Sequence, residues 1–157
     1  MINPIEDGIT HVNIYSQGKT TLGQMLSNFY HYPIKTKDGD FNSVEGYWYW
    51  LGIEDCEEKE ILRKLYGYNA KKNGNELKKK YAARIDEDFE KKILNAIWYK
   101  VKRNSKMFTP NIATLPFEHY YNFGGKVVDV KNKYIWMIEG IDKMRNAILE
   151  RIRNNEN

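Results

Sequence analysis

The sequence is poor in cysteine, histidine and proline, with one, three and four of them among 157 residues. Cys56 alone cannot form a disulfide bond within the chain, and it cannot supply the thiolates of a cysteine-rich zinc site. No stretch approaches the ~20 consecutive apolar residues of a membrane-spanning helix, and Met1–Thr10 lacks the basic start and apolar run of a signal peptide. We therefore expect a cytoplasmic protein with no disulfide scaffold, zinc finger or membrane span.

Motifs for nucleotide-driven and zinc-dependent chemistry are also missing. The sequence has no phosphate-binding loop ending in Gly-Lys-Ser/Thr, no dinucleotide-type glycine fingerprint after a strand and no His-Glu-x-x-His. His11, His31 and His119 are far apart without ligand spacing, so we interpret each as a packing or surface residue. The sequence thus predicts no metal site and no cofactor.

What the sequence does contain is enough apolar material for one folded domain. Hydrophobic residues make up 41% of the chain and aromatic residues 14%, which excludes wholesale disorder. The length suits one domain spanning residues 1–157. A net charge of +4 permits an anionic partner such as nucleic acid without requiring one.

The positive charges are unevenly distributed. They form two groups, Lys71, Lys72, Lys78, Lys79, Lys80 and Arg84, then Lys100, Lys102, Arg103 and Lys106. Each group is either a solvated helix face, which we favour, or a track for phosphates.

Hydrophobic periodicity predicts an α+β fold, mostly helical with a small β-sheet. The first predicted elements are a half-buried strand at His11–Tyr15, a loop between Gly18 and Gly23, a hairpin from Pro33 to Phe41 around Asp38-Gly39, and a buried aromatic helix from Val44 to Gly52 with Ser43 as its N-cap. Then follow polar helices at Glu57–Tyr66 and Asn69–Lys80 punctuated by Gly67 and Gly74, an amphipathic helix from an Asp86 cap to Lys102, strands at Phe117–Phe123 and Lys126–Val130, and a last helix from Tyr134 to Arg153.

Glu45 is the first candidate for chemistry. It lies in the first turn of the aromatic helix, and Trp48 and Tyr49, three and four residues later, share its face. A carboxylate beside aromatic rings suits a binding site. An acid that caps the helix dipole in front of core aromatics is the alternative, and spacing alone favours it.

A second candidate is the segment Phe117–Lys126. Its paired glycines, Gly124 and Gly125, follow a strand and would let backbone amides approach a ligand, while Lys126 is placed to hold a phosphate. The alternative is a hairpin turn with strand aromatics, which the pattern alone slightly favours.

These segments occur in an order that resembles the NADAR (YbiA-like) family. The segments are Asn13-Ile14-Tyr15-Ser16, Leu26-Ser27-Asn28-Phe29, Pro33-Ile34, Asp38-Gly39, Ser43-Val44-Glu45, Ala70-Lys71-Lys72-Asn73-Gly74 and Glu118-His119-Tyr120. The resemblance covers residues 11 to 152 or so. It implies an α+β fold that hydrolyses N-glycosidic bonds of ribose phosphates and ADP-ribosyl groups.

The glycine-rich segment is closer to one branch of that family. Its Tyr120-Tyr121-x-Phe123-Gly124-Gly125 version resembles members found beside DNA-modifying toxins or in phages. This implies removal of ADP-ribose from guanine bases in DNA, with the modified DNA or an ADP-ribosyl nucleotide as partner. The alternatives are a glycosidase for a small ribosylated metabolite and a non-catalytic nucleic-acid-binding module.

The resemblance also implies site residues. The family's glutamate falls on Glu45, and its tryptophan at the start of the long helix maps to Ile85, so that stacking contact is absent or comes from elsewhere. The Trp-Gly-Asp-Gly loop of YbiA-like members aligns with Phe123–Lys126, which lack its aspartate, and Asp129 is the nearest replacement. The expected catalytic residues are therefore Glu45 and, as the second acid, Asp129. The expected substrate-binding residues are Ser27, Asn28, Phe29, Trp48, Tyr120, Tyr121, Phe123, Gly124, Gly125 and Lys126.

The chemistry of such a site requires a carboxyl group and no metal. Cleaving a ribosyl C1–N bond builds positive charge on the sugar, and the base must be protonated or water activated. An exposed Glu45 at a helix start would have a low pKa and suit charge stabilisation or base catalysis. Burial beside Trp48 would raise its pKa towards a general-acid role, and the sequence leaves both open.

Overall fold

A computed structural model of the protein describes residues 1–156, and the side chains of residues 1–155. It confirms the α+β class, with helices and small sheets. In place of the one small sheet expected, the described residues form three separate two-stranded sheets. The chain divides into two compact units, one of residues 1–27 with the described residues from 101 onward, the other of residues 28–100.

The strands and helices are as follows. The strands are β1 Val12–Asn13, β2 Ile34–Thr36, β3 Gly39–Phe41, β4 Phe117–Glu118, β5 Tyr120–Phe123 and β6 Lys126–Asp129. The α-helices are α1 Thr21–Leu26, α2 Val44–Leu51, α3 Gly67–Lys80, α4 Phe89–Lys102 and α5 Ile135–Glu156. Short 3-10 helices lie at Pro4–Glu6, Glu58–Lys64, Ser105–Met107 and Asn132–Tyr134.

The sheets of the first unit correct the expected strand at Phe117–Phe123. That strand is divided at His119 into β4, which pairs in parallel with β1, and β5, which pairs antiparallel with β6. The β5–β6 hairpin turns at Gly124 and Gly125, whose φ angles of +58° and +97° are readily adopted only by glycine. The glycine pair thus occupies the turn that its sequence favours.

Strand β1 is buried on both sides, whereas the alternating pattern predicted burial on one side. His11, Val12, Asn13 and Ile14 are each at most 6% exposed. Asn13 tolerates burial because its Nδ2 donates to the carbonyl oxygen of Tyr120 and its Oδ1 accepts from the amide of Tyr120, both at 3.0 Å. The side chain therefore replaces a strand's backbone hydrogen bonds.

Helix α1 replaces the predicted loop between Gly18 and Gly23. It begins behind Thr20, whose Oγ1 accepts from the amide of Gly23 at 2.8 Å. A Cβ on Gly23 would lie 2.2 Å from the carbonyl oxygen of Asn13. Glycine is therefore needed here for the approach of α1 to β1 rather than for a loop.

In the second unit the expected hairpin and helix cap are confirmed. Strands β2 and β3 pair antiparallel, and Gly39 has a φ of +107°. The Ser43 Oγ accepts from the amide of Gly46 at 3.0 Å and donates to the carbonyl oxygen of Leu65 at 2.9 Å. The cap thus fixes the start of α2 and ties it to the chain that precedes α3.

Helix α2 is buried around most of its circumference, as its aromatic sequence predicts. Val44, Tyr47, Trp50 and Leu51 are at most 7% exposed. Gly74, which the sequence suggests as a punctuation point, lies inside α3 without interrupting it, and a Cβ there would lie 2.2 Å from the Tyr49 ring. Glycine therefore permits close packing of α3 on α2.

The segment expected as a helix at Glu57–Tyr66 is the 3-10 helix Glu58–Lys64. Its Lys59 is 1% exposed, and the ammonium group donates to the carbonyl oxygens of Trp50 and Ile53 at 3.2 and 2.9 Å. Lys59 also donates to Asp55 at 3.1 Å. This buried lysine satisfies backbone oxygens in the last turn of α2 and just after it, and so has a structural role.

The two long amphipathic helices are confirmed with shifted ends. Helix α4 begins three residues after Asp86, whose Oδ1 accepts from the amide of Asp88 at 2.9 Å. Its stripe Ile93, Ile97 and Val101 is fully buried. Helix α5 begins at Ile135, directly after the 3-10 turn that contains Tyr134.

No helix within residues 1–156 combines the length and the apolar character that crossing a membrane requires.

Candidate functional site

The residues expected at the site fall in both compact units. The second unit holds Asn28, Phe29, Glu45 and Trp48. The first unit holds Ser27, Tyr120, Tyr121, Phe123, Gly124, Gly125, Lys126 and Asp129. We describe each group within its own unit.

The backbone brings Glu45 and Asn28 together. Glu45 is the second residue of α2, and its amide donates to the carbonyl oxygen of Asn28 at 2.9 Å. The carbonyl oxygen of Phe29 accepts from the amide of Gly67, the first residue of α3, at 3.1 Å. Asn28 and Phe29 are therefore held between the N-termini of the two helices, with Glu45 beside them.

The Glu45 carboxyl is removed from water strongly enough to change its chemistry. The residue as a whole is half-buried. Burial raises the pKa of Glu45 from 4.5 to about 7, and the positive charge of Lys71 on α3 opposes part of that rise. Of the two states that the sequence left open, the structure has the one with the raised pKa. Near neutral pH the carboxyl is divided between its protonated and ionised forms.

The aromatic residues after Glu45 have partners inside the second unit. Trp48 is half-buried and meets Phe89 edge to face, with ring centroids 4.8 Å apart. The Tyr49 hydroxyl donates to Asn75 Oδ1 at 3.2 Å. Ile85, where the family has a tryptophan, is 92% exposed.

In the first unit Tyr120 belongs to the core. Its side chain is 1% exposed, and its hydroxyl lies 2.7 Å from Nε2 of His11. Burial raises the pKa of Tyr120 to about 12, with smaller contributions from the charges of Asp7 and Glu118. These contacts give the ring a structural use that the sequence did not reveal.

The tip of the β5–β6 hairpin is open to solvent. Phe123 is 62% exposed, and a Cβ on Gly124 or Gly125 would meet nothing within 4 Å. The Gly125 amide already donates to Asn122 Oδ1 at 2.9 Å, so this amide stabilises the turn. Lys126 is exposed as well. The geometry is that of the hairpin alternative.

Ser27, also in the first unit, directly follows the last residue of α1. It is 9% exposed, and its amide donates to the carbonyl oxygen of Gln24 at 3.2 Å. Ser27 is the C-cap of α1, in extended conformation. Its backbone therefore closes the short helix at the border of the first unit.

Asp129 lies at the end of β6, exposed, with Oδ1 accepting from the amide of Lys131 at 3.0 Å. Burial lowers the pKa of His119, and the hydrogen bond to Ile14 and the charge of Asp129 oppose part of that change. The Nδ1 of His119 donates to the carbonyl oxygen of Ile14 at 2.7 Å. The neutral ring therefore carries its proton on Nδ1 and its lone pair on Nε2.

His119 and Lys71 are site candidates that sequence reasoning passed over. The sequence favours a packing or surface role for His119, because no ligand spacing accompanies it. Lys71 belongs to the first charge group and to the segment Ala70-Lys71-Lys72-Asn73-Gly74, and neither pattern predicts a role for it in the site. Neither position carries a local signal, since each is defined by a contact with a distant part of the chain.

Lys100 corrects the interpretation of the second charge group. It is 1% exposed, and burial lowers the pKa of Lys100 to about 7. Its ammonium group lies 5.9 Å from the centre of the Tyr30 ring. The exposed members Lys102, Arg103 and Lys106 fit a solvated surface, whereas Lys100 points into the protein.

Within residues 1–156 no group of three or more His, Cys, Asp or Glu side chains is arranged to hold a metal ion. Comparison with family models, with curated proteins and with solved structures finds no match to this chain. The resemblance to the NADAR family therefore stays a prediction from the residues that carry it.

Proposed function

We propose that the protein is an N-glycosidase that cleaves the bond between ADP-ribose and a guanine base in DNA, with Glu45 as its catalytic carboxyl group. The observation that carries the proposal is the Glu45 carboxyl at the start of α2, whose pKa burial raises to about 7. A group with a pKa near the working pH can both give and take a proton. The ADP-ribosyl substrate follows from the resemblance described above.

The reaction that this carboxyl supports has two stages. Protonated Glu45 gives its proton to the guanine as the C1–N bond breaks and the bonding electrons leave with the nitrogen. The ribosyl cation that remains lies next to a Glu45 carboxylate, which stabilises it. Water then attacks C1, and its proton returns to Glu45. The products are DNA with an unmodified guanine and free ADP-ribose, and the enzyme is unchanged.

Lys71 has two effects in this scheme. Its positive charge offsets part of the rise in the Glu45 pKa, which keeps the carboxyl from remaining protonated well above neutral pH. An exposed ammonium group also suits the phosphates of an ADP-ribosyl group. We therefore assign Lys71 to substrate binding beside Glu45.

A non-catalytic nucleic-acid-binding module is the competing function. The exposed lysines of α3 favour it, because they suit a phosphate backbone whether or not a bond is cleaved. A pure binder has no use for a carboxyl with a raised pKa next to them. The Glu45 substitution separates the two functions.

The test is incubation of the protein with guanine-ADP-ribosylated DNA and, in parallel, with free ribosylated nucleotides, followed by mass analysis of the products. We expect release of ADP-ribose from the DNA and a loss of turnover of about a hundredfold or more in Glu45→Gln. Glu87→Gln, at an exposed position of the same unit, should keep the wild-type rate. Wild-type turnover in Glu45→Gln would remove Glu45 from the mechanism.

A further inference from the structure

The outward side of α3 is positively charged along its length. Its buried positions are Ala70, Gly74 and Leu77. Lys72 and Lys79 are exposed and seven residues apart, so they share one side and lie about 10.5 Å apart along the helix axis.

Most of these lysines are not neutralised by acids of the protein. Lys80 is held by Glu58. No carboxylate of residues 1–155 lies within ion-pair distance of Lys72 or Lys79. Glu76 is the single acidic residue in the α3 sequence, against five lysines. The helix therefore presents charge that an anionic partner can neutralise.

Exposed aromatic rings lie at the N-terminal end of the same helix. The rings of His31 and Tyr66 stack with centroids 4.1 Å apart and planes within 3°. Tyr66 is the N-cap of α3 and is 48% exposed, and Tyr68 is 68% exposed. Tyr68 lies four residues before Lys72, on the same side of the helix. Flat exposed rings beside phosphate-binding groups are the combination that binds single-stranded nucleic acids.

We infer that the outward side of α3 and the stacked His31–Tyr66 pair form a binding surface for single-stranded DNA. Bases stack on Tyr66 and Tyr68, while Lys72 and Lys79 contact the phosphates. The inference deepens the proposed function, on which it rests for the choice of DNA as partner. Binding of an unmodified strand does not depend on catalysis, so the two can fail separately.

The experiment measures fluorescence anisotropy of an end-labelled, unmodified single-stranded DNA of mixed sequence at several salt concentrations. Each phosphate contact contributes about −0.7 to the slope of log affinity against log salt for a single strand. Lys72→Gln combined with Lys79→Gln should therefore make that slope shallower by about 1.4. The matched control combines Lys37→Gln with Lys91→Gln, two exposed lysines outside α3, and should leave the slope unchanged.

The aromatic residues give a second measurement. Tyr66→Ala and Tyr68→Ala should each weaken strand binding about tenfold, whereas Tyr66→Phe, which keeps the ring, should bind like the wild type. All of these positions are exposed, so the variants should fold, and circular dichroism checks that they do. Hydrolysis of a free ADP-ribosyl nucleotide should be the same in every one of them.

Equal affinity in all variants would overturn the inference while leaving the glycosidase proposal intact. Tighter binding of a blunt duplex, or of the RNA counterpart, would also overturn it, because the surface is assigned to single-stranded DNA. Conversely, weakened strand binding in the lysine and tyrosine variants would support the surface even where Glu45→Gln left turnover unchanged.

Discussion

Replacing Glu45 by glutamine should stabilise the fold at about pH 8 and leave its stability unchanged at about pH 4. The folded state holds the Glu45 pKa at about 7 because of burial, against 4.5 for the ordinary group. Below about pH 4.5 the group is protonated in both the folded and the unfolded chain, so it does not lower the free energy of unfolding. Between the two values the folded chain binds more protons than the unfolded chain, and stability falls as pH rises. Above about pH 7 the buried carboxylate lowers the free energy of unfolding by its full amount.

The size of the effect follows from the two pKa values. A rise from 4.5 to about 7 corresponds to about 3 kcal/mol against the ionised form, at about 1.4 kcal/mol per pKa unit. The residue is half-buried, so water screens part of this, and about 1–2 kcal/mol is the expected cost. Glutamine has almost the same shape and never ionises. The melting temperature of the Glu45→Gln protein should therefore exceed that of the wild type by about 2–8 °C at about pH 8.

The assay is thermal unfolding followed by circular dichroism from about pH 4 to about pH 8. The difference in melting temperature between Glu45→Gln and wild type should grow from near zero to its full value across that range. Glu87→Gln, at an exposed position, is the control and should give a difference that does not change with pH. A Glu45→Gln protein that is less stable than wild type at about pH 8 would refute the reasoning.

Three further substitutions, the first with its own control, test packing and hydrogen bonds inside the two units. Gly74→Ala should lower the free energy of unfolding by about 1–3 kcal/mol in a urea titration, because its Cβ would lie 2.2 Å from the Tyr49 ring. Gly52→Ala is the control, since its Cβ would lie 3.8 Å from the nearest atom, the Tyr49 carbonyl oxygen, and it should change the same free energy by less than about 0.5 kcal/mol. Asn13→Asp should cost about 1–3 kcal/mol by urea unfolding, since an ionised carboxylate cannot donate to the Tyr120 carbonyl oxygen. Ser43→Ala should cost about 1 kcal/mol through loss of the α2 cap, measured as a lower urea midpoint.

The features predicted from the sequence are those with local causes. Ser43 caps α2 because its side chain accepts a hydrogen bond from an amide three residues ahead. The Asp38-Gly39 turn forms because glycine adopts a positive φ there. The stripe of α4 follows from apolar residues spaced four apart. Each of these patterns is complete within a few residues of the chain.

The features that the sequence did not predict depend on distant residues. Gly74 resembles a helix breaker until Tyr49, on another helix, is seen to occupy the space of its side chain. Asn13 resembles the exposed side of a strand until Tyr120 supplies partners for both polar atoms of its side-chain amide. Lys59 and Lys100 resemble surface charges, although both are 1% exposed. In each case the burial and the role of the residue depend on contacts with other parts of the chain, which its own type and neighbours in sequence do not indicate.

At Glu45 the local position and the tertiary environment have opposite effects on the pKa of the carboxyl group. A carboxylate that merely capped the dipole of α2 would be favoured in its ionised form, and its pKa would be lowered. Burial instead raises the pKa to about 7, even with Lys71 acting in the other direction. At neutral pH and above, the ionised group therefore destabilises the fold that contains it. A cost of this kind is common at functional sites, and the proton transfer that we propose for Glu45 needs a pKa close to the working pH.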